Sequence, residues 1–313
     1  MRLLALLLFA SSIAHAQFPS KPIRVLVPFG AGSSTDTVIR IIAQPLGQAL
    51  GQPVVVENKP GADGAIAAVE VAKAAADGHT LLFATNSPLS ATPHLKKKIP
   101  YDPIADFTPI TFVGNYTFFV VVNPSVPVKS LAELVAYAQA NPGKLNYGTG
   151  NTSAIVMSAT FASLTRVRMV HVPYKSEPPA VTDLVSGNVQ FMFSSYTTIA
   201  PHLQSGRLRV LATTLPERSP LVPDAPTLVE TGLPKLPIAS WAGLLGPAKL
   251  PKDVTERLNR EMNAILRRPE TLEALNRQAF AARGSTVEEF AAYTKEQLEI
   301  WGKAIRDAGI QPE

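Results

Sequence analysis

Residues 23–36, Ile-Arg-Val-Leu-Val-Pro-Phe-Gly-Ala-Gly-Ser-Ser-Thr-Asp, constrain the fold of this chain more than any other stretch. A short apolar run rich in β-branched residues reads as a buried strand. It breaks at Pro28, passes Gly30 and Gly32, and reaches Ser33, Ser34, Thr35 and Asp36. Beyond them Val38, Ile41, Ile42, Leu46, Ala49 and Leu50 recur at the spacing of one helix face. Ser33 with Asp36 resembles a capping box, with Asp in place of the usual Glu, and so marks the helix start. Strand, glycine turn and capped helix together point free backbone N–H groups at an anion. The turn is expected to form one half of a ligand cradle.

Residues 1–16 are read separately from the fold. Arg2, the apolar run 3–10 and the small-x-small Ala14-His15-Ala16 form a secretory signal peptide, too short to span a bilayer. Cleavage after Ala16 would remove Arg2 and lower the formal charge by one, from +5 to +4. No later apolar run is long enough for a membrane span, so the mature product is expected to be exported and not membrane-spanning. The rest of the 313 residues is enough for two domains of ordinary size, and a 46% hydrophobic content suits packed α/β lobes. The absence of cysteine excludes disulfides, a thiolate nucleophile and a Cys-based metal site. The positive charge invites a nucleic-acid reading, but charged residues are only 17% and the basic ones are scattered. Lys96-Lys97-Lys98 is the one basic run and reads as a solvated loop, so no nucleic-acid partner is expected.

Along the chain, residues 54–56 read as a second strand and 58–64 as a glycine and proline turn. A helix from 66 to about 76 stops at Asp77-Gly78, and residues 80–85 form a third strand ending at Asn86-Ser87-Pro88. Strands alternating with helices predict parallel pairing, with ligands beyond the carboxyl ends of the strands. That rule places residues 29–36, 62–64 and 86–87 on one rim. Residues 100–109 read as a loop. A strand at 118–122 leads into Asn123-Pro124-Ser125-Val126-Pro127, the expected first crossing between lobes.

The opening pattern then recurs. Ser130 and Glu133 cap a helix, and residues 145–148 form a strand feeding the turn Thr149-Gly150-Asn151-Thr152-Ser153. Another helix follows, then a strand at 170–174, a helix with Pro178 and Pro179 in its first turn, and a strand at 189–193 ending at Ser194-Ser195. Residues 207–214 read as a strand heading back, 216–226 as a Pro-rich connection and 241–246 as a further strand. The helical C-terminal third is expected to pack on the first lobe and lock it.

Enzyme signatures are missing: there is no Gly-x-Ser-x-Gly elbow, no His-Glu-x-x-His and no phosphate-binding Gly-x-x-x-x-Gly-Lys-Ser/Thr. His79, His94, His171 and His202 lack metal-ligand spacing, and His171, inside an apolar strand, reads as packed structure. Residues 30–35 resemble a dinucleotide fingerprint without its third glycine, and Glu57 stands where a ribose-binding acid would. Thr35 at the third glycine position would hinder helix–strand packing, so no nucleotide cofactor is expected. One hydroxyl-rich turn would read as a simple helix cap. Two of them, residues 32–36 and 149–153, lie at matching places in two α/β units with uncharged donors, and that pairing points to function. Each N–H to carboxylate contact at a helix start contributes on the order of 1 kcal/mol.

A set of ordered motifs carries a resemblance. Val-Pro-Phe-x-x-Gly-x-Ser-Thr-Asp at 27–36, Val-Val-Val-Glu-Asn-Lys-Pro-Gly-Ala-x-Gly at 54–64, Ala-Asp-Gly-His-Thr-Leu-Leu at 76–82 and Pro-Tyr-Asp-Pro at 100–103 come first. Asn-Pro-Gly-Lys-Leu-Asn-Tyr-Gly at 141–148, Val-His-Val-Pro-Tyr-Lys at 170–175, Ser-Trp-x-Gly-Leu-Leu at 240–245 and Trp-Gly-Lys at 301–303 follow. Together they resemble the Bug-type extracytoplasmic solute receptors of tripartite tricarboxylate transporters, over nearly all the mature chain.

The resemblance implies a two-lobed type II periplasmic binding protein fold of class α/β, each lobe a mostly parallel sheet flanked by helices. Residues 17–122 and 226–313 would form lobe one, with residues 123–225 inserted as lobe two. It implies a periplasmic receptor, not an enzyme, that closes on a small organic carboxylate without metal or cofactor and serves a membrane permease or a sensor. Carried over, the ligand-binding positions are Phe29, Gly32, Ser33, Ser34, Thr35 and Asp36 with Ala62 and Asn86 in the first lobe. In the second they are Gly150, Asn151, Thr152, Ser153 and Ser194. Three departures bear on the ligand. Ser33 replaces a second glycine, the turn at 148–153 is shorter than the common form, and Ser194 stands where an Asp that could read an amine is frequent. The expected ligand therefore carries at least one carboxylate and no obligatory cationic group. A secreted α/β enzyme acting on a small acid, a hydrolase or a nucleotide-dependent oxidoreductase, is the alternative from another class.

Overall fold

The apolar run of residues 23–27 forms β1 (Ile23–Val27), interior to its sheet, and every one of its side chains except Arg24 is buried. The computed structural model describes residues 18–313, so the expected signal peptide lies outside the described residues. After β1 come α1 (Ser34–Leu50), β2 (Val54–Asn58), α2 (Ala65–Ala72), β3 (Thr80–Thr85), the short α3 (Thr92–Leu95) and β4 (Phe107–Tyr116). A second series follows: β5 (Phe118–Val122), α4 (Leu131–Ala140), β6 (Asn146–Thr149), α5 (Thr152–Thr165), β7 (Val170–Pro173), α6 (Glu177–Ser186), β8 (Phe191–Ser195), α7 (Tyr196–Gln204) and β9 (Arg209–Thr213). The chain closes with β10 (Ser240–Pro247), α8 (Lys252–Leu266), α9 (Pro269–Asn276), β11 (Phe280–Ala282) and α10 (Val287–Asp307).

These strands build two sheets, ordered β11-β4-β10-β3-β1-β2 and β7-β6-β8-β5-β9. The fold is the expected two-lobed α/β arrangement, but the sheets are mixed rather than mostly parallel. β1 pairs in parallel with β2 and β3, whereas β10 runs against β3 and β4. In the second sheet β6 is parallel to β7 and β8, and β5 runs against β8 and β9. The reason is geometric. β5 and β10 are the strands by which the chain enters each lobe from the other, so they start at the cleft where their neighbours end.

The first crossing also differs from expectation. Phe118–Val122 pairs with β8 and β9, so this strand belongs to the second lobe and the crossing is the single residue Thr117 between β4 and β5. The Pro-punctuated segment after it is a turn at the far end of lobe two, where Asn123 Nδ2 donates to the carbonyls of Leu184 and Val185. The return crossing lies between β9 and β10. Thr227 still bridges Thr213, and Leu228, Leu236 and Ile238 pack into the second-lobe core.

The C-terminal helix does more than lock lobe one. Phe290 and Tyr293 of α10 pack beside Trp241 and Phe112 of the first lobe. Trp301, Ala304 and Ile305, near the end of α10, join the core that holds Phe118, Val120, Phe161 and Phe191 of the second. α10 thus spans both lobes, and burial of Trp301 and Ile305 is worth roughly 2–3 kcal/mol each.

Candidate functional site

The cleft is built at the start of α1. Ser33 takes the extended N-cap conformation and its Oγ accepts from the Asp36 N–H at 3.3 Å. Asp36 does not complete the box on the Ser33 N–H. Its Oδ2 reaches one residue further back and accepts from Gly32 N at 3.0 Å, while Oδ1 accepts from Arg40 Nε and Asn58 Nδ2, both at 2.9 Å. Gly32 sits at φ 76°, a conformation that glycine adopts without cost. With Asp36 N and Thr37 N satisfied by Ser33, the N–H groups of Ser34 and Thr35 find no acceptor among the described residues.

The second lobe repeats the construction at α5. Asn151 is the N-cap, its Oδ1 accepts from Ala154 N at 2.9 Å, and its carbonyl accepts from Ile155 N. The N–H groups of Thr152 and Ser153 are likewise without an acceptor among the described residues. The two helix starts face one shared cavity, to which Phe29, Ser33, Ser34, Thr35, Gly150, Asn151 and Ser153 contribute walls. None of the described residues lining it is basic.

Hydroxyls and one amide stitch the lobes together around this cavity. Asn86, at the end of β3, donates through Nδ2 to Ser153 Oγ at 3.0 Å and accepts through Oδ1 from Ser240 Oγ at 3.0 Å. Ser153 Oγ in turn donates to Ser240 Oγ at 3.0 Å, and Ser87 and Thr152 hydroxyls pair at 2.8 Å. On the other side Ser34 Oγ donates to Ser195 Oγ at 2.5 Å.

Behind Ser195 lies a buried carboxyl, that of Glu177 at the first position of α6. Its Oε1 accepts from Ser194 Oγ at 2.5 Å, Ser195 N at 2.6 Å, and the Ser195 and Thr198 hydroxyls at 2.9 Å. Burial pushes its pKa above the ordinary carboxylate value, against the downward pull of those donors. Burial likewise raises the pKa of the Tyr116 phenol above its ordinary value. The Tyr116 hydroxyl, close to Thr35 and Glu177, is buried and has no hydrogen-bond partner of ordinary geometry among the described residues.

Over residues 38–310 the chain matches the family described as "Tripartite tricarboxylate transporter family receptor". The chain belongs to this receptor family. It is 32% identical to Protein BugT of Bordetella pertussis over 96% of this chain and 94% of that one. Among solved structures it is similar to Rpa4515 of R. palustris, determined with adipate, at 30% identity and a TM-score of 0.91 over 95% of this chain and all of the other. MatC from Rhodopseudomonas palustris, with bound malate, matches at 30% identity and a TM-score of 0.86 over 92% of this chain and 100% of that one. These relatives make the chain a solute-binding receptor of a transport family rather than an enzyme.

Of the positions carried over from Bug-type receptors, Phe29, Ser33, Ser34, Thr35, Asn86, Gly150, Asn151 and Ser153 come together around the cavity. Gly32, Asp36, Thr152 and Ser194 stand behind it. Gly32 and Asp36 shape the turn, Thr152 ties the lobes through Ser87, and Ser194 supports Glu177. Ala62 is exposed and does not reach the cavity, because its turn packs Gly64 against Pro28 and Pro88. His171 lies on the edge strand β7, stacked on Tyr147 and bonded to Thr149.

Ser87, expected on the rim beside Asn86, also lines the cavity, whereas sequence reasoning missed Thr85, Tyr116, Phe118, Glu177, Ser195 and Ser240, which line it too. β8 runs two residues past its apolar part, which carries Ser195 to the cleft. Ser240 lay within a quoted motif, and that was its one signal. The charge expected to be missing at Ser194 is supplied from α6 by Glu177, 17 residues earlier in the chain.

Proposed function

We propose that this protein is an exported periplasmic receptor that closes its two lobes on a small organic carboxylate. It then delivers the ligand to the membrane permease of a tripartite tricarboxylate-type transporter or reports it to a sensor. One observation carries the reading: two helix starts, one per lobe, whose first N–H groups (Ser34, Thr35, Thr152, Ser153) have no acceptor among the described residues, meet at a shared cavity that no described basic residue lines. Such groups, with the helix dipoles behind them, stabilise a carboxylate by charge and hydrogen bonding alone. Closure removes water and strengthens each of those contacts. The adipate and malate held by relatives of this fold favour the same ligand class. Phe29 and Phe118 would pack against the carbon skeleton, and Asn86, Ser87 and Ser240 would fix the closed state. Export would be directed by residues 1–16, with cleavage after Ala16 releasing the mature chain.

The test is calorimetric titration and thermal melting of the mature chain with malate, adipate, succinate and amino acids. Saturation with one small carboxylate at 100 times its Kd should stabilise the fold by about 2.7 kcal/mol. A chain that binds none of these acids, and from which no carboxylate co-purifies, would refute the reading.

A further inference from the structure

The Glu177 carboxyl is a second recognition element in the cavity, and its hydrogen bonding fixes what it can read. Every one of its partners is able to donate. Ser34 Oγ donates to Ser195 Oγ, and Ser195 Oγ passes its own proton to the Glu177 carboxyl, 2.9 Å from each oxygen. Ser195 N, which can only donate, and the Ser194 and Thr198 hydroxyls meet Oε1. The cluster thus offers four donors, one of them an N–H that can only donate, and so can serve an ionised carboxylate. Oε1 is saturated, whereas Oε2 is met by the shared Ser195 hydroxyl alone and keeps free lone pairs. Glu177 is 5% exposed and lines the cavity, and none of the described residues lining it is basic and able to balance the charge.

We propose that Glu177 is the reader of a cationic group, and that the ligand is a small amino carboxylate whose ammonium donates to Glu177 Oε2 while its carboxylate lies at the starts of α1 and α5. This rests on the carboxylate reading above and names the ligand class within it. A closed cavity holding both an ionised Glu177 and an unbalanced ligand carboxylate would bury two like charges with no countercharge, which is costly. An ammonium between them neutralises both. The Tyr116 hydroxyl, buried and lining the same cavity as Glu177, offers a further acceptor for its protons. The conclusion reverses the expectation drawn from Ser194, because the acid is present but comes from a different element.

The experiment titrates the wild-type chain with alanine, β-alanine, γ-aminobutyrate and aspartate, and with their amine-free counterparts propionate, butyrate and succinate. At least one amino acid should bind 10-fold or more tightly than its counterpart, and Glu177→Gln should erase that preference by weakening the amino acid and tightening the plain acid. The wild-type comparison decides even if the variant folds poorly, and repeating it in buffers of different ionisation enthalpy counts protons. Amino-acid binding should take up none. Plain acids that bind as well as or better than their aminated partners, or uptake of about one proton on binding, would overturn the assignment to Glu177 and leave the carboxylate reading intact. Binding of neither set, nor of malate or adipate, would overturn the carboxylate reading and this inference with it.

Discussion

Ser34 Oγ donates to Ser195 Oγ at 2.5 Å, joining two residues 161 positions apart and linking the first turn of α1 to the buried Glu177 carboxyl of the other lobe. The same α1 start that offers N–H groups to an anion therefore also senses whether lobe two has arrived.

Ser34→Ala removes this bridge but leaves its N–H groups in place. A neutral hydrogen bond is worth about 1 kcal/mol net, so ligand affinity should fall about 5-fold, with the ligand-free melting temperature nearly unchanged. Ser195→Ala also strips a donor from Glu177 and should cost more in both respects. Calorimetry and thermal melting of the two variants check the order, and equal effects would contradict it.

Gly30 limits how tightly the lobes meet. A Cβ there would lie 2.9 Å from Ser176 Oγ of lobe two, and Gly30 does not need a positive φ. Ala can be met by rotation of the serine hydroxyl, but the branched Gly30→Val should hold the cleft ajar. The expected outcome is unchanged ligand-free stability, affinity lowered about 10-fold or more, and a radius of gyration that fails to contract on ligand addition. Adding Ser176→Gly should restore closure. Small-angle scattering with and without ligand decides.

The sequence was most legible where structure is local. β1, the Ser33 cap and α1 follow from a β-branched run and a hydroxyl beside it, and the second turn at Asn151 follows by the same logic. The crossing at Thr117 was hidden because β4 carries Pro109 and Gly114 and is held by β10, which arrives more than a hundred residues later. Glu177 was hidden for another reason. An acid before two prolines is a satisfactory first turn of a helix on dipole grounds alone, so nothing local distinguishes a cap from a binding group. Its role depends on Ser194 and Ser195 at the end of a strand from the far side of α6. Gly150 is part of the same arrangement, since a side chain there would collide with the backbone of Ser176 and Glu177.

Asp36 supports the cradle without lining it. It is 4% exposed and accepts from Gly32 N, Arg40 and Asn58, so Asp36→Ala leaves the Gly32 N–H unmatched and takes one of its two acceptors from the Asn58 amide, which keeps its bond to the Phe29 carbonyl. A loss of about 2–3 kcal/mol is expected, read as a lower urea midpoint, together with weaker ligand binding because the turn loses its shape. Asp36→Asn keeps one acceptor oxygen and should fall between the two. A variant that loses affinity with full stability would instead mean direct contact with ligand.

Glu177 gives the ligand-free receptor a pH dependence of identifiable sign. Burial raises its folded-state pKa above the unfolded value of about 4.3, so between those two values the folded chain binds more protons than the unfolded one. The stabilising contribution is complete below the unfolded pKa and is lost as pH rises through the folded one. Other carboxylates act oppositely and in a lower window. Glu57, held low by its bonds to Arg24, contributes stability that is present above its unfolded pKa and is lost as pH falls through its folded one. The contribution of Glu177 is therefore isolated by the difference between wild type and Glu177→Gln, whose amide stays neutral throughout. Near pH 4 the two should melt together, and near pH 8 the Gln variant should melt higher by about 2 °C or more. Saturating amino-acid ligand should reverse the order at pH 8, because the ammonium then pairs with a charge that the variant lacks. Melting curves at the two pH values, with and without γ-aminobutyrate, measure all four states. A Gln variant that melts lower than wild type at pH 8 without ligand would show that the ionised Glu177 is already compensated by the protein itself.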